Sequence, residues 1–127
     1  MYTNTPAELP AVSPGEAIRL YFTRYAEFSG RSRRSEYWIA VIAVSVIGSL
    51  LGYLFQKAPA ISTIWTLATL LPNIAVTVRR LHDAGKSGWN YLWNLLPVVG
   101  QILLLVFCLK DSEPDENAWG KSPKYSA

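Results

Sequence analysis

The chain has 127 residues, half of them hydrophobic and 17% charged, with a formal net charge of +3. Its length suits one domain, its charged fraction lies below the roughly 25% usual in soluble domains, and so small a positive surplus gives no support to nucleic-acid binding. A single His (His82) and a single Cys (Cys108) rule out an intrachain disulfide and leave too few ligands for a zinc site within one chain, so no metal or cofactor is expected.

Residues 1–14 read as a flexible polar leader without the basic-then-apolar layout of a signal peptide. Pro14, Gly15 and Glu16 open a helix over 16–28. Ile18, Tyr21, Phe22, Tyr25 and Phe28 recur there at intervals of three and four, opposite Arg19, Thr23 and Glu27. This pattern predicts an amphipathic helix lying on a membrane surface. A basic turn with Arg31, Arg33 and Arg34 follows.

Residues 37–56 carry no charge, and as a helix they would cross the ~30 Å apolar core of a bilayer. Tyr37, Trp38 and Tyr53 lie near the ends, as aromatic residues do at membrane interfaces. Ser45, Gly48, Ser49 and Gly52 share one stripe, and its GxxxG pair suits close helix packing. Lys57 and Pro59 make a short connection to a second span over 58–78, where Pro72 removes one backbone donor. Ser62, Thr66, Thr69, Asn73 and Thr77 fall on one face of it. A third span is expected over 89–109, bearing Asn90, Asn94 and Gln101 and bent at Pro97 and Gly100. A hairpin inside this span is rejected on length, because neither half reaches the ~17 residues of a crossing.

The fold class expected is therefore an all-α membrane protein, with an N-terminal interfacial helix, three transmembrane helices in one membrane domain over 15–109, and a polar tail over 110–127. Thr66, Thr69, Asn73, Asn94 and Gln101 are expected to turn inward as interhelical glue, since an unpaired amide facing lipid is costly. No acid or base lies deep in a span, which argues against a proton relay. Arg and Lys concentrate before the first span and between the second and third, so the positive-inside rule places the N-terminus and central loop in the cytoplasm and the C-terminus outside.

Three segments carry a family resemblance. Residues 28–38 (FSGRSRRSEYW) are similar to the F-x-G-R-x-x-R-x-E-Y-W entry of the DUF805 family of small bacterial inner-membrane proteins. Leu70-Leu71-Pro72 together with residues 78–89 (VRRLHDAGKSGW) resembles its L-P…R-R-L-H-D-x-G-x-S-G-W block, and residues 114–123 resemble its P-G-x-N-x-[FY]-G-x-x-P tail. The tail departs at Asp115, where the pattern has glycine, and at Ala118, which is often basic. The resemblance implies a bacterial inner-membrane location and supplies no activity.

His82 beside Asp83 invites a general-base reading, but adjacent helical side chains point in different directions. Gly85-Lys86-Ser87 ends like a phosphate-binding loop, yet Arg80 stands where that motif requires glycine. Catalysis is not expected. The leading expectation is a non-enzymatic protein in which Arg31, Arg33, Arg34, Arg79, Arg80 and Lys86 bind anionic lipid or a protein partner. Glu36, His82, Asp83, Gly85 and Gly88 would shape the loop. The alternatives are an oligomeric channel or transporter subunit using the polar faces, and an interfacial enzyme centred on His82 and Asp83. A homo-oligomer or a membrane-protein partner is compatible with the first two.

Overall fold

The computed structural model describes residues 8–125, and the parts of the expected leader and tail at 1–7 and 126–127 lie outside them. The elements are α1 (Pro14–Thr23), α2 (Arg34–Leu54), α3 (Ala60–Asp83), the 3₁₀ helix η1 (Gly88–Leu95) and α4 (Val99–Leu109). Among the described residues there is no strand, only the isolated bridges Glu8–Tyr125 and Asn117–Gly120.

The two long helices have mean hydropathies of 2.0 and 1.5 over their most apolar windows, and only 11% and 28% of those windows is buried inside the protein. A soluble core helix of that composition would be covered by its own chain; these leave Ile42, Val46, Leu50, Ile64 and Leu67 exposed. They meet through Trp65, whose indole Nε1 donates to the Val44 carbonyl at 3.2 Å. A Cβ built on Gly48 would lie 3.1 Å from the Trp65 ring, whereas one on Gly52 meets nothing within 4 Å. Ser45 and Ser49 are exposed. The small-residue stripe is therefore not a shared packing face within the chain: Gly48 alone makes room, and it does so for an indole. Gly48→Leu is expected to lower thermal stability in detergent by roughly 1–3 kcal/mol through overpacking, while Gly52→Leu leaves it nearly unchanged. Equal losses would mean that Gly52 packs as Gly48 does.

α1 is shorter than expected, and its side-chain distribution differs from the surface-helix expectation. Ser13 caps it by accepting the Glu16 amide proton, and Pro14 stands in the first turn. Ala17 and Tyr21 are fully buried, and the Tyr21 hydroxyl donates to the Thr69 carbonyl at 3.1 Å. The next aromatic, Phe22, meets Trp65 edge-on at 6.4 Å. α1 thus packs along α2 and α3, and of the five aromatic and aliphatic residues read as a membrane face, Tyr21 belongs to the core while Phe22, Tyr25 and Phe28 stay exposed. The leader's described part is also anchored: the Leu9 amide donates to the Lys124 carbonyl at 2.6 Å.

The continuous third span is replaced by two arms. η1 ends at Leu95, the chain turns at residues 96–98, and α4 begins at Val99. Pro97 supplies no amide proton for a continuing helix, and Val98 takes a positive φ of 64°. Both ends of this segment return to the same turn of α3. Gly88 lies so close to Val78 that a Cβ would be 2.9 Å from its Cγ1, and the Arg80 Nε donates to the Cys108 carbonyl at 3.0 Å. The hairpin rejected on length is the fold adopted. The tail that follows α4 accordingly lies at the central-loop end of α3, not at the opposite end.

The buried core gathers there as well. It joins Tyr37, Ala40 and Val44 of α2, Val76 and Leu81 of α3, and Leu104 and Cys108 of α4, with Tyr21 from α1. Trp38 clips α2 to α4 by donating to the Cys108 carbonyl at 3.2 Å.

Candidate functional site: an arginine-knotted cap

The basic turn 30–34, the end of α3 and the tail meet in a polar cap. Arg79 and Arg80 are completely buried, and Arg31 and Arg33 are 5% and 4% exposed. Burying a cation without partners is prohibitive, so each guanidinium has been matched to oxygens, mostly of the backbone. Arg79 donates through Nε to the Ser32 hydroxyl at 2.9 Å and through Nη1 to the carbonyls of Arg24 (2.8 Å) and Glu27 (2.9 Å). This holds the α1–α2 connection on α3. Arg80 donates to the carbonyls of Cys108 and Ser32, to that of Lys110, and to Asp83 Oδ2 at 2.7 Å. Arg31 donates to Asp83 Oδ1 at 2.9 Å and to the tail carbonyls of Glu113 (2.6 Å), Asp115 (2.9 Å) and Gly120 (3.1 Å). Arg33 reaches the carbonyls of Leu9 and Pro10. Planar forks with five donors suit this multipoint anchoring, which a lysine does not reproduce.

Asp83 is the hub. It is fully buried, bridges Arg31 and Arg80, accepts a bond from the Ser112 hydroxyl, and its own carbonyl accepts the Glu113 amide proton at 2.9 Å. His82 does not join it. The imidazole stacks on Trp119 with centroids 4.4 Å apart and planes 4° from parallel, and its Nδ1 lies 3.0 Å from the Gly30 carbonyl. The general-base dyad is thus not assembled, because consecutive helical residues send their side chains to different neighbours. Glu36 pairs at 3.3 Å with Arg24, a residue outside the expected set.

The glycines do two different things. Gly85 adopts a φ of 80° in the turn leaving α3, beneath the Glu113 carboxylate. Gly88 has no such backbone; what it provides is the close approach to Val78.

Of the six cations expected to face an anion, Arg31, Arg33, Arg79 and Arg80 are turned inward and occupied by the protein itself. Only Arg34 and Lys86 keep their heads accessible, Arg34 3.4 Å from Asp111 and Lys86 with Nζ 5.1 Å from the Phe107 ring centre. Of the expected polar interior, the chain itself covers only Thr69. Thr69 is buried and bonds to the Trp65 carbonyl at 2.8 Å. Thr66, Asn73, Asn94 and Gln101 are exposed, and the three amides make no hydrogen bond among the described residues. Asn73 is exposed although it falls on the same helix face as the buried Thr69, Thr77 and Arg80.

The tail's role in the cap was invisible to pattern reading. Asn117 donates to the His82 carbonyl at 2.9 Å, Trp119 covers the imidazole, and Gly120 takes a φ of 121° while accepting from Arg31. Burial pushes the Asp111 carboxyl up, but the Lys124 ammonium, the Tyr125 hydroxyl and the Ser112 amide outweigh that and hold it down at about 2. A carboxylate whose folded value lies below the ordinary ~3.9 stabilises the folded form above that ordinary value, and the contribution is lost as pH falls through the folded one. The 111–125 clasp is therefore expected to persist from neutral pH to about 4 and to loosen between about 4 and about 2. Hydrogen exchange at the Lys124 and Tyr125 amides reads this, and Asp111→Asn should remove the acid transition. Loosening already complete at about pH 5 would contradict it.

Two long apolar helices with exposed outer faces, joined to a cap of buried arginines, have the length and composition of a small helical membrane protein. The chain belongs to the DUF805 family, "Protein of unknown function (DUF805)", whose model matches residues 25–121. It is 36% identical over 107 residues to the Escherichia coli K12 "Inner membrane protein YhaI", covering 81% of this chain and 91% of that one. It is also 36% identical over 108 residues to "Inner membrane protein YhaH" of the same strain, with 79% and 89% covered. The similarity to the K12 "Uncharacterized protein YiiR" is 32% over 132 residues, with 79% and 90% covered. No solved structure matches the chain.

Proposed function

We propose that the protein is a non-enzymatic inner-membrane protein whose cap lies at the cytoplasmic surface and binds anionic lipid headgroups through a ring of basic residues at the helix ends. The observation that carries this reading is where the accessible cations stand. Arg34 is the first residue of α2, Lys86 follows the end of α3 by three residues, and Lys110 follows α4 directly. These three helix ends are held together by the Arg80 bonds to Ser32 just before α2, to Asp83, and to Cys108 and Lys110. The ring therefore sits where apolar helix surface gives way to the polar cap, at the depth of lipid phosphate.

Cytoplasmic orientation rests on the same charges. The short α2–α3 connection carries Lys57 alone, and with the tail at the cap end Lys110, Lys121 and Lys124 join the arginines of the basic turn and α3. The N-terminal segment and the tail are then on one side, in place of the external C-terminus expected from three crossings. The non-enzymatic part is supported by the engagement of both His82 and Asp83 in holding the cap together.

Each basic residue near an anionic surface contributes about 1 kcal/mol. The triple change Arg34→Gln, Lys86→Gln and Lys110→Gln is therefore expected to weaken retention of phosphatidylglycerol over phosphatidylcholine roughly a hundredfold. Native mass spectrometry of detergent-extracted protein measures this. Undiminished anionic-lipid adducts in a well-folded triple variant would overturn the reading.

A further inference from the structure

We infer that residues 88–109 form a re-entrant hairpin that enters one leaflet from the cap side and leaves by the same side, with its outer surface in the acyl chains of that leaflet. The inference is independent of the headgroup reading.

Four observations converge on it. The first is arm length. The eight residues of η1 span about 16 Å at a 3₁₀ rise of ~2.0 Å, and the eleven of α4 span about 16 Å at ~1.5 Å. Each arm matches half of a ~30 Å hydrocarbon core. The second is charge. Lys86 and Lys110 bracket the segment and no charged residue lies between them. Both stand at the base, where the hairpin joins the cap.

The third observation is the exposed surface. Trp89 at the base is 79% exposed, in the position an interfacial indole takes. Toward the tip Leu95, Val98 and Val99 are 77%, 65% and 63% exposed, on the same molecule whose α2 and α3 leave their outer faces bare. Asn94 and Gln101 are the two amides this surface carries, and apolar side chains far outnumber them.

The fourth is the turn. Hydrocarbon tolerates irregular backbone only where its polar groups are satisfied. Here the Leu96 amide donates to the Trp93 carbonyl at 3.0 Å, the Val99 amide to Pro97 at 2.7 Å, the Gly100 amide to Leu96 at 3.2 Å and the Ile102 amide to Val98 at 2.9 Å. Pro97 has no amide proton to place. Of the turn residues 96–98, that leaves the Val98 N–H as the one backbone donor without a backbone acceptor.

The test uses the full-length protein in a Cys108→Ser background, first shown to keep its melting temperature, with single cysteines at Lys57, Ser87, Val98 and Lys121. In inside-out and right-side-out vesicles, a membrane-impermeant maleimide is expected to label Ser87→Cys and Lys121→Cys from one side and Lys57→Cys from the other, and to miss Val98→Cys from both. A spin label at Val98→Cys should show high accessibility to oxygen and low accessibility to a polar nickel chelate. Labelling of Lys121→Cys from the Lys57 side would establish a third crossing and overturn the inference. So would maleimide labelling of Val98→Cys from either side. Low accessibility to both relaxants with spin–spin broadening would overturn it too, assigning the surface to a second copy of the chain.

Discussion

Asp83→Ala is expected to destabilise the protein by roughly 3–5 kcal/mol, the cost of breaking a buried ion pair from one side. The carboxylate has no solvent exposure and answers two buried guanidiniums, Arg31 at 2.9 Å and Arg80 at 2.7 Å. Removing it leaves both cations in a low-dielectric site with their charge uncompensated, although their carbonyl contacts survive. Because Arg31 also holds the tail and Arg80 the end of α4, the loss should spread: α4 and residues 111–125 ought to gain hydrogen exchange together. Asp111→Ala is the comparison. Asp111 and its partner Arg34 are 43% and 44% exposed, and only Lys124, at 13%, is largely covered, so a change of about 1 kcal/mol is expected. Thermal unfolding in detergent separates the two. Equal effects would mean that the Asp83 cluster contributes no more than a surface pair. Combining Asp83→Asn with Arg31→Gln should recover part of the loss, because the second change removes one of the orphaned charges.

Gly100→Ala is the second large effect. Gly100 is buried where α4 crosses η1, and a Cβ there would overlap the Trp93 carbonyl and stand 2.8 Å from the Leu96 Cβ. The obstacle is backbone, which cannot rotate aside as a side chain does. The two arms must separate, taking the Gly100–Leu96 hydrogen bond with them. We expect a loss near or above about 3 kcal/mol, the upper end of ordinary overpacking costs, with faster proteolysis between η1 and α4. Gly15→Ala serves as the control, since a Cβ there meets nothing within 4 Å and alanine favours the α1 helix. Unchanged stability in Gly100→Ala would show that the arms do not approach as closely as described.

The amino-acid sequence by itself determined the class of this protein. Long charge-free apolar stretches make α2 and α3 candidates to cross a membrane wherever their neighbours lie. The arginine-rich motifs and the family were equally legible, because composition and local spacing carry them. What residues 88–109 do was not legible. Their 22 positions suit one full crossing or two half-crossings equally well in length and hydropathy. The choice depends on Pro97 withholding a donor and on Gly100 letting one arm approach the other.

The direction of the arginines was likewise a tertiary matter. Arg79 and Arg80 look like topogenic surface charge until the carbonyls of the α1–α2 connection, the end of α4 and the tail are brought round them, from segments 28 to 55 residues away. The amides were a tertiary matter too: Asn73 shares a helix face with the buried Thr69, Thr77 and Arg80 and is nevertheless exposed. A linear pattern records which residues share a face, but only the packed structure determines which of them the rest of the chain covers.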